Sequence, residues 1–385
     1  MTDVVYADNS ATTQPLVVNM PGGCWANPSS PHRLGRQSRN YLEHARTRIA
    51  QALGAQCKEN IFFTASGTES SNLVLLGCAW DVIVSSNLEH DATRKCLMGG
   101  KRSAQTILLT NDKHGKILVP SDLPPLVVVH GRPPRVLISL IWANNEIGTV
   151  QDKATLQAIR QRVEKWAGTQ CFLHLDGVQA PGHMPLHLGD GVADFVSLSA
   201  HKFHGPRGVG ILYSRDRSTT LSLDPLMHGG GQERNVRPGT ENVEQIVRAT
   251  HVLEFVQDNG LQARCRFMQR LRDIIREGLE PFCQRGVVLI TGHPVDRLCH
   301  HLSFCVRGTQ RKIILDLLDT AGLCVSGSSA CSTLQAMPSH VLSAIGVPAD
   351  FIHGSIRISL SILNTEEEVC RLRDGLVKIL MSVSN

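Results

Sequence analysis

Residues 196–213 read VSLSAHKFHGPRGVGILY, with one lysine, Lys202, set between His201 and Phe203. An apolar run leads into that lysine, glycines and a proline follow at once, and a second apolar run resumes at Val209. Short Val/Ile/Leu-rich runs with weak alternation fit strands buried on both faces of a largely parallel sheet. The same texture recurs at IFFT (61–64), VIVS (82–85), TILL (106–109), VLISLI (136–141), CFLHL (171–175) and FVSLS (195–199).

Helical patterns lie between these runs. Leu42, Ala45, Ile49 and Leu53 recur at spacings of three and four, and Gly54 supplies a stop. Val243, Ile246, Val247, Thr250 and Leu253 form one face of another helix, ended by Asn259-Gly260. Strand and helix alternating in this way define an α/β fold. After about residue 260 the texture becomes α+β: helices at 262–279 and 311–320, apolar runs at 301–306 and 355–360, and a last helix opening on NTEEE, where Thr365 and Glu368 fit a capping box. The expected division is a large domain at 13–250, its mainly parallel sheet covered by helices, and a smaller α+β domain made of 1–12 and 251–385.

The chain has 385 residues, 42% of them hydrophobic and 19% charged, enough for a sizeable core. A net charge of +5 without a dense basic stripe argues against direct nucleic-acid binding. No apolar run approaches the roughly 20 residues of a membrane span, and the start MTDVVYADNS lacks the features of a secretory signal. The 12 cysteines include no CxxC pair, so a reducing, cytoplasmic compartment is expected, with no metal site.

Several pieces carry chemistry. A lysine that forms a Schiff base needs a sheltered or electropositive setting, which a strand end under a glycine-rich turn offers Lys202; taken alone, a surface loop lysine is the commoner outcome. Asp176 follows a strand, where α/β sheets gather ligands, and an aspartate there can keep a pyridinium nitrogen protonated; a helix N-cap is its ordinary alternative. TASGTESSN (64–72) joins a strand to a helix start, with Gly67 and Thr68 placed as for a phosphate, or as a plain N-cap. His90, after VIVS, could stack on a flat ring or be structural. Cys331 lies in VSGSSACSTLQ, small and polar neighbours that suit a reachable thiolate more than a core thiol. HGGGQERNVRPGTEN (228–242) suggests an anion-contacting loop or a surface connection.

Taken in order, these pieces, together with ANNEIG (143–148) and the Gln three positions after Asp176, resemble the cysteine desulfurases, pyridoxal 5′-phosphate (PLP) enzymes of fold type I in the class-V aminotransferase group. The resemblance runs from YADNSATTQP to SIRISL and NTEEE, and GSSAC resembles the class with the longer cysteine loop, here about 324–337. It implies that Lys202 carries PLP, Asp176 pairs with the ring nitrogen, Gln179 meets the ring's phenolic oxygen and His90 stacks on the ring. Gly67, Thr68, Ser199, Ala200 and His201 would form the phosphate site, with Thr240 reaching the phosphate of a second copy in a homodimer. Asn145 and Arg357 would hold the substrate carboxylate. Cys331 would take the sulfur of L-cysteine as a persulfide, releasing alanine, and pass it to an acceptor protein; with a partner it could transiently ligate a cluster. A selenocysteine lyase, another PLP lyase or an aminotransferase are the alternatives. Ser361 and Ile362 stand where the family often has Gly-Arg, and Cys324 and His204 receive no role.

Overall fold

The computed structural model describes residues 4–22, 25–99, 104–126, 129, 131–216, 223–327 and 338–383. Strands β1 (Val5–Tyr6), β2 (Ile61–Thr64), β3 (Val82–Ser86), β4 (Gln105–Leu109), β5 (Val136–Ile141), β6 (Phe172–Asp176), β7 (Phe195–Ser199) and β8 (Gly210–Ser214) occupy the first part of the chain. Seven of them form one sheet in the order β2-β8-β7-β6-β5-β3-β4. β4, β3, β5, β6 and β7 run parallel, and β8 is antiparallel to both β7 and β2.

Burial varies across the sheet, and β2, at one edge, is buried throughout. β5 and β7 lie inside the sheet and are buried at every residue. β4 is an edge strand, and there Ile107 and Leu109 point inward while Thr106 and Leu108 are exposed, the two-residue period of a half-covered strand. Helices Arg33–Ala52 and Val243–Gln257 pack on the sheet through Leu42, Ala45, Ile49, Ile246 and Leu253. The first ends at Gly54, whose φ of +61° is the left-handed conformation that glycine adopts freely.

A second, antiparallel sheet has the order β12-β10-β9, from β9 (Val288–Thr291), β10 (His301–Val306) and β12 (Ser355–Ser359). Helices Leu261–Gln284 and Glu366–Val383 cover it with Leu271, Ile275, Leu279, Leu372 and Leu376. Thr365 and Glu368 close the reciprocal cap read from the sequence: the Thr365 N–H donates to Glu368 Oε2 at 3.0 Å and the Glu368 N–H to Thr365 Oγ1 at 3.2 Å. β1 pairs in parallel with β11 (Leu323–Cys324), so the N-terminal segment starts beside the second sheet before crossing to the first. That crossing, residues 8–13, forms one wall of the site.

Candidate functional site

The parallel strands end on one side of the large sheet, and their exits surround a cavity of about 150 Å³. Gly67 and Thr68 reach it from the exit of β2, His90 from β3, Asn145 from β5, Asp176 and Gln179 from β6, and Ser199, His201 and Lys202 from β7. Nine residues singled out in the sequence thus meet around one space.

Helix Gly67–Leu76 begins at this space. Ser66 caps it, accepting from the Glu69 N–H at 3.1 Å, and Glu69 Oε2 accepts from the Ala65 N–H at 2.7 Å. A Cβ on Gly67 would lie 2.5 Å from Val178 Cγ2, so only glycine lets this turn sit flush against β6 and β7. The free N–H groups of a helix start and its dipole favour an anion there.

Asp176 is buried at the end of β6, and its Oδ1 accepts from the Val178 N–H at 3.1 Å. Burial pushes its pKa up, while His90 and Lys202 pull it back. His90 caps helix Asp91–Met98, and its Nδ1 accepts from the Ala92 N–H at 3.1 Å, so the neutral ring carries its proton on Nε2. His201 Nδ1 lies 3.1 Å from Thr12 Oγ1. Burial, with the charges of Lys202 and Arg207, drives its pKa down to about 4, so it is neutral near pH 7.

The crossing segment meets Lys202 directly: its Nζ donates to the carbonyls of Ser10 and Ala11, each at 2.7 Å. Gln179 Nε2 donates to the same Ser10 carbonyl at 2.9 Å, and its buried Oε1 has no partner. Ser10 and Gln179 are joined again from behind. His300 Nε2 lies 3.4 Å from Ser10 Oγ, the His300 ring stacks on His183 at 3.6 Å between centroids, and His183 Nδ1 is 3.1 Å from the Gln179 carbonyl.

Other predicted residues lie outside the cavity. Ala200 is buried in the turn before Lys202. Thr240 is exposed and does not line the cavity. Arg357, 1% exposed, donates to the Asn145 carbonyl at 3.0 Å and to Asp8 Oδ1 at 2.8 Å. Cys331 lies outside the described residues. Of the two unassigned residues, His204 is a turn residue with φ +68°, its Nδ1 2.8 Å from the Gln14 carbonyl. Cys324 lies in β11, its thiol pushed up by burial.

Two buried carboxyls beside the site escaped sequence reasoning. Burial raises Glu89 to about 8, against hydrogen bonds from the Ser86 hydroxyl and the Ile141 N–H, and Asp176 raises it further. Glu146 is raised to about 7, chiefly by burial, and accepts from Ser339 Oγ at 2.6 Å. Each adjoins a residue already singled out, His90 or Asn145, but sequence offers no sign that its side chain turns inward.

A lysine amine, a buried aspartate and a helix N-terminus around one small cavity suit a phosphorylated pyridine aldehyde. The orphaned Gln179 Oε1 is an unused acceptor for its ring hydroxyl, and the helix start at Gly67 suits its phosphate. The chain belongs to the class-V aminotransferase family, whose profile matches residues 5–372. A relative from Methanosarcina thermophila described as cysteine desulfurase IscS is 36% identical over 395 residues, 99% of this chain and 93% of its own length. A solved NifS-like protein superposes with a TM-score of 0.81 at 31% identity, covering 98% of this chain and 100% of its own. A structure of SspA in complex with cysteine gives a TM-score of 0.72 at 26% identity, over 94% of this chain and 99% of its own. Among the described residues, no helix is long and apolar enough to cross a membrane, and no group of three or more His, Cys, Asp or Glu side chains is placed to hold a metal ion.

Proposed function

We propose that this protein is a PLP-dependent cysteine desulfurase that converts L-cysteine to L-alanine. The observation that carries the reading is the meeting of Lys202, Asp176 and the Gly67 helix start around one cavity, in a chain whose full-length relatives are described as cysteine desulfurases. When bound, PLP supplies an electron sink for the substrate's α-carbon.

The chain's own groups do the rest. Lys202 is the attachment point and, as a free amine, the group that moves the α-proton. Asp176 keeps a proton on the ring nitrogen, and its buried place strengthens that pairing. Gly67, Thr68, Ser199 and His201 hold the phosphate, and neutral His201 donates without adding charge. His90 handles the substrate thiol proton, which requires its Nδ1 to give up the Ala92 N–H or its Nε2 to give up the proton it carries. Asn145 and Arg357 take the substrate carboxylate. Cys331, as thiolate, forms an S–S bond to the substrate sulfur as the carbon–sulfur bond breaks, and it hands the persulfide sulfur to an acceptor protein.

Thr240, exposed in its own chain, faces the phosphate site of a second copy, which makes the enzyme a homodimer, and its scattered cysteines without a CxxC pair suit the cytoplasm. Residues 13–250 serve as the cofactor domain, and the remainder as the domain carrying the cysteine loop.

Purified protein loaded with PLP tests this. It should be yellow, and Lys202→Ala should lose the visible band. Cys331→Ala should keep the colour yet release no sulfide from cysteine. Wild-type turnover by Cys331→Ala would remove the role given to that cysteine.

A further inference from the structure

Cys265 and Cys299 converge on one main-chain oxygen. Cys265 lies in the second turn of helix Leu261–Gln284, and Cys299 lies two positions before β10. Cys265 Sγ is 3.5 Å from the His183 carbonyl oxygen, and Cys299 Sγ is 4.0 Å from the same atom. Cys265 also lies 3.9 Å from the Gly182 carbonyl. Two sulfurs within 4.0 Å of one oxygen are neighbours, and each shifts the ionisation of the other.

Their settings differ in the way an attacking and a resolving thiol differ. Cys265 is partly exposed, and Cys299 is 8% exposed. Cys299 lowers the Cys265 pKa, and the charges of Arg264 and Arg266 lower it further against its burial. Cys299 is raised, first by Cys265 and then by burial. A thiolate is the nucleophile in thiol–disulfide exchange, so the reachable partner is also the more reactive one.

We propose that Cys265 and Cys299 are a disulfide-forming pair, closed by exchange with a small-molecule disulfide such as oxidised glutathione. The Cys265 thiolate attacks one sulfur of that disulfide and forms a mixed disulfide, and the first thiol leaves and takes up the proton that Cys265 lost. Cys299 then gives up its proton and attacks the Cys265 sulfur, expelling the second thiol. Two protein thiols are oxidised, and one external disulfide is reduced to two thiols.

The modification is felt at the site. Closing the bond removes the Cys265 S–H donor from the His183 carbonyl. The His183 ring contacts the Gln179 carbonyl and stacks on His300, the two contacts that lead to Gln179 and Ser10.

The test is peptide mapping of the PLP-loaded protein after incubation with oxidised glutathione. Digestion should avoid trypsin, because cleavage at Arg264 and Arg266 leaves Cys265 in a dipeptide. The expected result is a Cys265–Cys299 linked peptide pair, reversed by dithiothreitol, with little glutathione retained on Cys265. Cys299→Ser should retain several-fold more glutathione on Cys265 than the wild type does. A stable glutathione adduct on wild-type Cys265 without the cross-link overturns the proposal. So does a cross-link from Cys265 to Cys305, or a Cys265 that stays unmodified while other cysteines react.

Discussion

The Ser10 carbonyl accepts from Lys202 Nζ at 2.7 Å, so the lysine is met by a main-chain wall that the second sheet holds in place. The Ser10 N–H donates to Ser359 Oγ at 2.8 Å, and Asn9 Nδ2 donates to the Ser359 carbonyl at 2.8 Å. Ser359 is fully buried at the end of β12. Ser359→Ala leaves the buried Ser10 N–H without its acceptor, a loss of about 1–3 kcal/mol. Urea unfolding should show that loss, together with weaker PLP retention. Ser359→Thr keeps the hydroxyl and should recover most of both.

Glu89 gives a pH test with a definite sign. Its folded pKa, raised to about 8, stands above the ordinary carboxylate value of 4.5. Between those values the folded protein holds a proton that the unfolded chain has released, so this group's stabilisation is complete at low pH and is lost as pH rises. The slope is about 1.4 kcal/mol per pH unit within that window. A glutamine side chain has no such proton, so Glu89→Gln should gain on the wild type from about pH 5 to about pH 8 in denaturant midpoints. Equal pH slopes for the two proteins would mean that Glu89 is ionised in the fold. Buried His174, lowered to about 3, acts in the other direction, losing stability as pH falls below about 6.5, and it cancels in the comparison.

What could be read from the sequence was what repeats or stands in line. The apolar runs at 61–64, 136–141, 195–199 and 301–306 coincide with β2, β5, β7 and β10, because each of these strands is covered on both faces. β1 and β11 leave no mark in the sequence, since each is two residues long and carries no period. Helix Lys153–Ala167 is legible as well, since Leu156, Ile159 and Val163 recur at spacings of three and four on its buried face. The site residues are legible through their order along the chain. Their supports are not, because the Ser10 wall uses carbonyl oxygens, which every residue has. Glu89 and Glu146 are charged residue types, and composition places such types outside.

Gly67 tests the helix start as an anion site. A methyl group there meets Val178 Cγ2 at 2.5 Å, and either that side chain or the turn must move. Overpacking of this kind costs about 1–3 kcal/mol. Where the cost falls on the cofactor-binding form, Gly67→Ala weakens PLP binding by roughly 5- to 150-fold. Titration of the apoprotein with PLP, followed by protein fluorescence, measures it. Gly67→Ala with Val178→Ala relieves the contact and should recover part of the affinity; no recovery would place the defect elsewhere.

Arg357 is the test of substrate orientation. Its guanidinium is held by the Asn145 carbonyl and Asp8, and its buried Nε has no partner. Arginine offers several donors in a fixed fork, which lets one group be held by the protein and still meet a carboxylate. Lysine at this position can keep the charge near Asp8 but loses the fork. A hydrogen bond to a charged group contributes about 1.5–3 kcal/mol, so Arg357→Lys should raise the KM for cysteine roughly 10- to 150-fold. If the interaction is equal in the ground and transition states, kcat stays near the wild-type value. An unchanged KM with a large fall in kcat would show that Arg357 acts on the chemical step and does not hold the carboxylate.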